Sequence, residues 1–169
     1  MTEQSITPDI RMADLLASFP GARRALFKGF HVGGCQSCGF SEDEALADVA
    51  RKHEKDVDAM VSYLEEAKRQ EAALLVVPEQ AIQEAQQDDV RLIDLRSPQE
   101  YEAHHVDGAE PISEQFAEEI MAWPKDSRII MYCRDGAGSL NAVAYMVDYG
   151  FTRVACVKGG YEALIQTAS

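Results

Sequence analysis

Short apolar runs separated by helical patterns fill the sequence from Ala72 onward, and this texture restricts the fold more than any other feature. Leu74 to Val77, Val90 to Leu95, a segment near Ala109 to Ile112, Ile129 to Cys133 and Arg153 to Val157 are brief and mostly rich in Val, Ile or Leu. Near-continuous apolar strands are buried on both faces, and intervening helices supply the crossovers that parallel strands require. The spacing therefore predicts an α/β domain over 74–169, a parallel sheet flanked by helices.

The earlier part of the chain reads differently. Thr7-Pro8 is a helix-start signal, and Met12, Leu15, Leu16 and Phe19 follow at helical spacing until Pro20-Gly21. A second short helix is expected from Ala22 to Lys28, ending at Gly29, with a glycine-rich turn from His31 to Cys35. Ser41 and Glu44 have the spacing of a capping box for a third helix carrying Leu46, Val49 and Ala50, which leaves Cys38 just ahead of it. Val57, Met60, Val61 and Leu64 share one face of a fourth helix, and the charged stretch Glu65 to Glu71 leads out as a helical or flexible linker. The expected organisation is a small all-α domain over 1–68, a linker over 69–73 and the α/β domain over 74–169. With 169 residues and 46% hydrophobic content, the chain suffices for two small cores.

A net charge of −13 argues against nucleic acid or an anionic membrane as partner, because both demand clustered Lys and Arg. Screening over about 8 Å at physiological salt leaves local donors, not distant carboxylates, to decide what enters a pocket. No apolar run approaches the ~18–20 residues of a bilayer-spanning helix. Met1 to Asp9 is polar and mildly acidic, unlike a secretory leader, so a cytoplasmic location is expected. The four cysteines fall as a close pair, Cys35 and Cys38, with Cys133 and Cys156 far downstream. In a cytosolic chain that pattern points to redox, metal or catalytic use rather than to structural disulfides.

Ile129 to Tyr132 deliver Cys133 to the carboxyl end of a strand, where ligands gather in open parallel sheets. Arg134, Asp135, Gly136, Ala137, Gly138 and Ser139 follow, then a helical pattern from Leu140 to Tyr149. The two glycines let backbone N–H groups turn inward around the sulfur, and the next helix adds its positive end. Such a cradle stabilises negative charge on sulfur, whether thiolate or persulfide.

Together with Ile93-Asp94-Leu95-Arg96, Glu100-Tyr101, His105-Val106-Asp107-Gly108-Ala109 and Lys158-Gly159-Gly160, this loop makes the C-terminal domain resemble the rhodanese family of sulfurtransferases. The resemblance implies that Cys133 is the nucleophile, charged by a small donor such as thiosulfate or by a protein persulfide. It implies that the backbone from Arg134 to Ser139 holds the persulfide and that a thiol acceptor takes the sulfur. Asp94, Arg96, Glu100 and His105 look like the family's scaffold residues. Two positions depart from the pattern: Gly138 stands where many members carry arginine, and Leu164 where a tryptophan often follows the paired glycines. Without the arginine's bidentate clamp, the loop is expected to use thiosulfate poorly and to favour a protein persulfide. A phosphatase with a Cys-centred loop is the nearest chemical competitor, and it needs the arginine that Gly138 replaces. Cys156 reads as core packing, and His104 and His105 as turn and packing residues.

The Cys35-x-x-Cys38 spacing suits reversible dithiol chemistry. Structural zinc needs four ligands, for which only His31 and His53 offer themselves beside the pair, and a cluster bridged between two chains would use two copies of it. No metal and no cofactor are assigned, with zinc or iron-sulfur at Cys35/Cys38 as the alternative. The segment from Ile6 to Ala67 also resembles a small helical family associated with hybrid-cluster proteins and disulfide oxidoreductase activity. The shared elements are the helix ending at Phe19-Pro20, the Gly34-Cys35-Gln36-Ser37-Cys38 turn and the Leu46 helix. Cys38-Gly39-Phe40-Ser41 coincides with the monothiol glutaredoxin signature, but too few residues remain before the α/β domain to supply the strands of that fold.

The expected function is a sulfurtransferase that carries sulfane sulfur on Cys133 and passes it to a thiol, with relay or release through Cys35/Cys38. A noncatalytic sulfur or redox sensor is the alternative. Its partners are a sulfur donor and a thiol acceptor, with a homodimer left open.

Overall fold

The computed structural model describes residues 5–33 and 39–167. The chain divides into two units, Met1–Ala72 and Ala73–Ser169.

The described residues of the first unit form helices α1 (Met12–Ser18), α2 (Ala22–Phe30), α3 (Leu46–Lys52) and α4 (Val57–Ala72). Their apolar faces meet in a core where Met12, Leu15, Leu26, Leu46, Met60 and Leu64 are fully buried. Several local expectations change. Helix α1 begins at Met12 rather than at Thr7-Pro8, because the Thr7 carbonyl closes a turn with the Ile10 N–H and Arg11 pairs with Ala45 in an antiparallel bridge. Helix α2 runs through Gly29, against which the Tyr63 ring packs, and ends at His31 in the left-handed region. Ser41 and Glu44 tie off a turn instead of capping a helix. The Glu44 carboxylate accepts from the Ser41 N–H at 2.6 Å, but α3 starts only at Leu46. The charged stretch expected as a helical or flexible linker is helical, continuing α4 through Ala72. Glu71 anchors it, buried and accepting from the Gly21 N–H at 3.2 Å and from Arg24 at 2.7 Å. Burial pushes the Glu71 carboxyl up, with Arg24 opposing.

Helix α3 closes with two tightening bonds, from the Lys55 N–H to the Ala50 carbonyl at 2.8 Å and from the Glu54 N–H to the Arg51 carbonyl at 3.2 Å. This closure puts exposed Glu54 at φ 54, a conformation that favours glycine. Glu54→Gly is therefore expected to stabilise the first unit by about 0.5–1 kcal/mol. Slower amide hydrogen exchange across Leu46–Lys52 would show it; faster exchange would contradict it.

The second unit contains β1 (Leu75–Val76), α5 (Pro78–Glu84), β2 (Val90–Asp94), α6 (Pro98–Ala103), β3 (Ala109–Pro111), α7 (Glu114–Met121), β4 (Arg128–Tyr132), α8 (Ala137–Asp148), β5 (Val154–Val157) and α9 (Gly160–Thr167). All strand pairings are parallel, in the order β1-β5-β4-β2-β3. Alternate strand residues enter two cores. Leu92, Ile130, Tyr132 and Val157 pack with Ala81 of α5 and Leu164 of α9. Ile93, Ile129, Met131 and Cys156 pack with Ile120 of α7 and with Leu140 and Val143 of α8. Covering on both faces explains why the strands are continuous apolar runs. It also places Cys156 fully inside the second core.

From β2 the chain passes to β3 on one side, and from β4 to β5 on the other. The carboxyl ends of β2 and β4 therefore flank the point where strand order reverses, which is where ligands bind in such sheets. Among the described residues no helix is long and apolar enough to cross a membrane.

Candidate active site

Cys133 follows Tyr132, the last residue of β4, and its side chain is partly exposed at the switch point. Gly136, at φ 95, turns the chain into α8. That conformation brings its N–H to the Cys133 Sγ at 3.2 Å, and the Ser139 N–H donates to the same sulfur at 3.3 Å. The buried Ser139 hydroxyl lies 3.5 Å from Sγ and 3.0 Å from the Gly136 carbonyl, and donates to one or the other. Two backbone donors at the start of a helix form a site for negative charge on sulfur.

The six residues expected around the sulfur divide in their roles. Gly136 and Ser139 donate to it, while Gly138 lies alongside, where a Cβ would stand 3.5 Å from Sγ. The Ala137 N–H is spent on Asp135 Oδ1 at 3.0 Å, and that oxygen lies 3.6 Å from Sγ, within reach of a thiol proton. The Ala137 N–H is also the main reason the Asp135 carboxyl is held below its ordinary range. The Arg134 side chain is engaged by α6. Its guanidinium donates to Glu100 Oε1 through Nη2 at 2.6 Å and Nε at 3.1 Å, which commits it to α6. Glu100 is pulled down to about 2, first by the Ser97 hydroxyl, then by Arg134 and by the Ser97 N–H.

The loop is supported from behind by α9. The Tyr161 N–H donates to the Cys133 carbonyl at 2.8 Å, and the Glu162 N–H to the Arg134 carbonyl at 3.1 Å. Asp94, wholly buried at the end of β2, accepts from Arg96 Nη2 at 2.6 Å and from the Tyr132 hydroxyl at 2.7 Å. Burial, then the Asp94 hydrogen bond, raises the Tyr132 hydroxyl well above its ordinary range and keeps it a donor. Arg96 also donates to the His104 carbonyl at 2.8 Å and lies 3.5 Å over the Tyr161 ring. The Tyr161 hydroxyl is 2.6 Å from His104 Nδ1, while His105 stacks on Tyr101 with ring centroids 4.0 Å apart. Sequence reasoning missed Tyr161, whose one signal is its place directly after the paired glycines.

Cys35 and Cys38 lie outside the described residues. His31 ends α2, and His53 ends α3 with Nε2 buried and lacking a hydrogen-bond partner among the described residues. Among those residues no group of three or more His, Cys, Asp or Glu side chains gathers as a metal site.

The family model of the rhodanese-like domain matches residues 77–167, just over half of the chain. The chain belongs to the rhodanese-like domain family. The match lies within the second unit, the rhodanese-like unit. The chain is 34% identical over 85 residues to the thiosulfate sulfurtransferase GlpE of Pseudoalteromonas translucida, covering 50% of this chain and 81% of that protein. It is 33% identical over 88 residues to GlpE of Pseudomonas putida, covering 52% and 80% respectively. Among solved structures, the rhodanese-like domain of the Alr3790 protein of Anabaena sp. shares the fold, with a TM-score of 0.50 and 19% identity over 57% of this chain and 76% of that one.

Proposed function

We propose that the protein is a sulfurtransferase that carries sulfane sulfur as a persulfide on Cys133 and hands it to a thiol. The observation that carries this reading is the pair of backbone N–H groups, from Gly136 and Ser139, at 3.2 and 3.3 Å from Sγ. In loading, the Cys133 thiolate attacks the outer sulfur of a donor persulfide. The donor's S–S bond breaks, the donor thiolate leaves, and a new S–S bond forms on Cys133. Discharge repeats the exchange toward an acceptor thiolate, with no net oxidation in either half. Thiosulfate, which the relatives' names give as their substrate, would load the same sulfur with sulfite leaving. Here Gly138 offers no cation and Arg134 is bound to Glu100, so a protein persulfide is the better donor. The chemistry needs neither metal nor cofactor, and it suits the cytoplasm, where reduced thiols serve as acceptors.

Cys35 and Cys38 complete the reading as a relay. Sulfur passed from Cys133 to Cys35 leaves as hydrosulfide when the Cys38 thiolate attacks the Cys35 Sγ; the dithiol is oxidised to a disulfide and the sulfane sulfur reduced. Cys35→Ser and Cys38→Ser are each expected to load Cys133 at the wild-type rate and to discharge it at least about tenfold more slowly. Unchanged discharge in both variants removes the relay. Repeated turnover with an added thiol acceptor is expected of the enzyme; loading once without turnover would instead identify a sensor.

A further inference from the structure

We propose that the mouth of the Cys133 loop selects its donor by charge. Asp135 beside the sulfur, and Glu100 acting through Arg134, turn away dianionic donors and favour a persulfide on an uncharged or cationic carrier. The inference rests on the sulfur-carrier reading above.

Arg134 is the only basic residue from Cys133 to Ser139. Its guanidinium is doubly bonded to Glu100, which is anchored in turn by the Ser97 hydroxyl at 2.7 Å and the Ser97 N–H at 3.1 Å. The one cation of the loop is thus neutralised by a carboxylate that is itself held in place. Glu162, whose N–H donates to the Arg134 carbonyl, adds further negative charge near that guanidinium. Gly138 contributes no side chain, and Asp135 Oδ1 is fixed 3.6 Å from Sγ by the Ala137 N–H. Charge beside the sulfur is therefore net negative on the side-chain count, opposed by the Gly136 and Ser139 N–H groups and the uncharged Ser139 hydroxyl.

Thiosulfate loading brings a dianion to this point. As the Cys133 thiolate takes the outer sulfur, the S–S bond of thiosulfate breaks and sulfite, also a dianion, must depart past the same carboxylate. Like charges at a few ångströms change such a rate by about tenfold or more even when partly screened. A persulfide on an uncharged carrier bears at most one negative charge and meets weaker repulsion, and its leaving group is a single thiolate. A carrier with a positive charge near its sulfur is drawn in by Asp135.

The test compares single-turnover loading of the reduced protein, read by intact mass, from thiosulfate and from cysteamine persulfide at low and high salt. Wild type is expected to load faster from cysteamine persulfide, and salt to shrink that preference. Asp135→Asn is expected to move the ratio of the two rate constants toward thiosulfate by at least about tenfold. Glu100→Gln is expected to move it the same way by freeing Arg134, with a weaker salt dependence that loss of structure alone would not produce. If Glu100→Gln unfolds, Asp135→Asn carries the test, because its amide oxygen still accepts from the Ala137 N–H. An unchanged ratio in the folded variants, or a wild-type preference for thiosulfate, overturns the filter and leaves the sulfur-carrier reading standing. Absence of loading from either donor in wild type overturns that reading, and the filter with it.

Discussion

Gly160→Ala is expected to destabilise the rhodanese-like unit by about 3 kcal/mol and to stop the Cys133 loop from holding sulfur. Gly160 has φ 60, and a Cβ there would lie 2.7 Å from the Arg134 carbonyl, 2.6 Å from the Gly136 N and closer still to the Cys133 carbonyl. All three are backbone atoms of the sulfur loop, so no side chain can swing aside. Relief requires α9 and the loop to separate. Separation breaks the Tyr161-to-Cys133 bond at 2.8 Å and the Glu162-to-Arg134 bond at 3.1 Å, and it shifts the Gly136 N–H away from Sγ. Trp123, the only tryptophan, belongs to the rhodanese-like unit, so its fluorescence follows this unit's unfolding. A wild-type denaturation midpoint together with wild-type loading would show that the close approach of α9 is unimportant.

The second large effect lies one layer deeper. Asp94→Ala is expected to cost about 3–5 kcal/mol, because it strands a buried cation. The Asp94 side chain is 0% exposed and that of Arg96 5%, with their closest atoms 2.6 Å apart. Removing the carboxylate leaves the guanidinium with the His104 carbonyl and the Tyr161 ring, and it deprives the Tyr132 hydroxyl of its acceptor. Tyr132 immediately precedes Cys133, so the loss reaches the loop as well as the core. Asp94→Asn keeps an acceptor and removes the charge, and it should fall between wild type and Asp94→Ala. The same Trp123 signal measures both; an Asp94→Ala midpoint within experimental error of wild type would refute the role given to this buried pair.

The sheet and the position of Cys133 were legible because they follow from local pattern. Apolar runs such as Ile129 to Tyr132 mark strands buried on two faces, and a Cys followed by the spaced glycines Gly136 and Gly138 and a helix marks a strand-end loop. What sequence left hidden depends on partners distant along the chain. Arg134 meets Glu100 thirty-four residues away, and nothing local to the loop fixes that direction. Tyr161 reaches His104 across fifty-seven residues. In the helical unit, the capping signals at Thr7-Pro8 and Ser41/Glu44 are real local preferences, but the Arg11–Ala45 bridge holds both flanking segments extended and delays both helices. Gly29 reads as a helix end until the Tyr63 ring supplies its other use, as room for close packing.

The most direct test of sulfur carriage is intact-mass analysis of the reduced protein after exposure to thiosulfate and, separately, to a persulfide donor, in wild type and in Cys133→Ser. The prediction is a gain of one sulfur atom in wild type that is removed by cyanide and absent from Cys133→Ser. No gain from either donor, or an equal gain in Cys133→Ser, would contradict the assignment of Cys133 as the sulfur carrier.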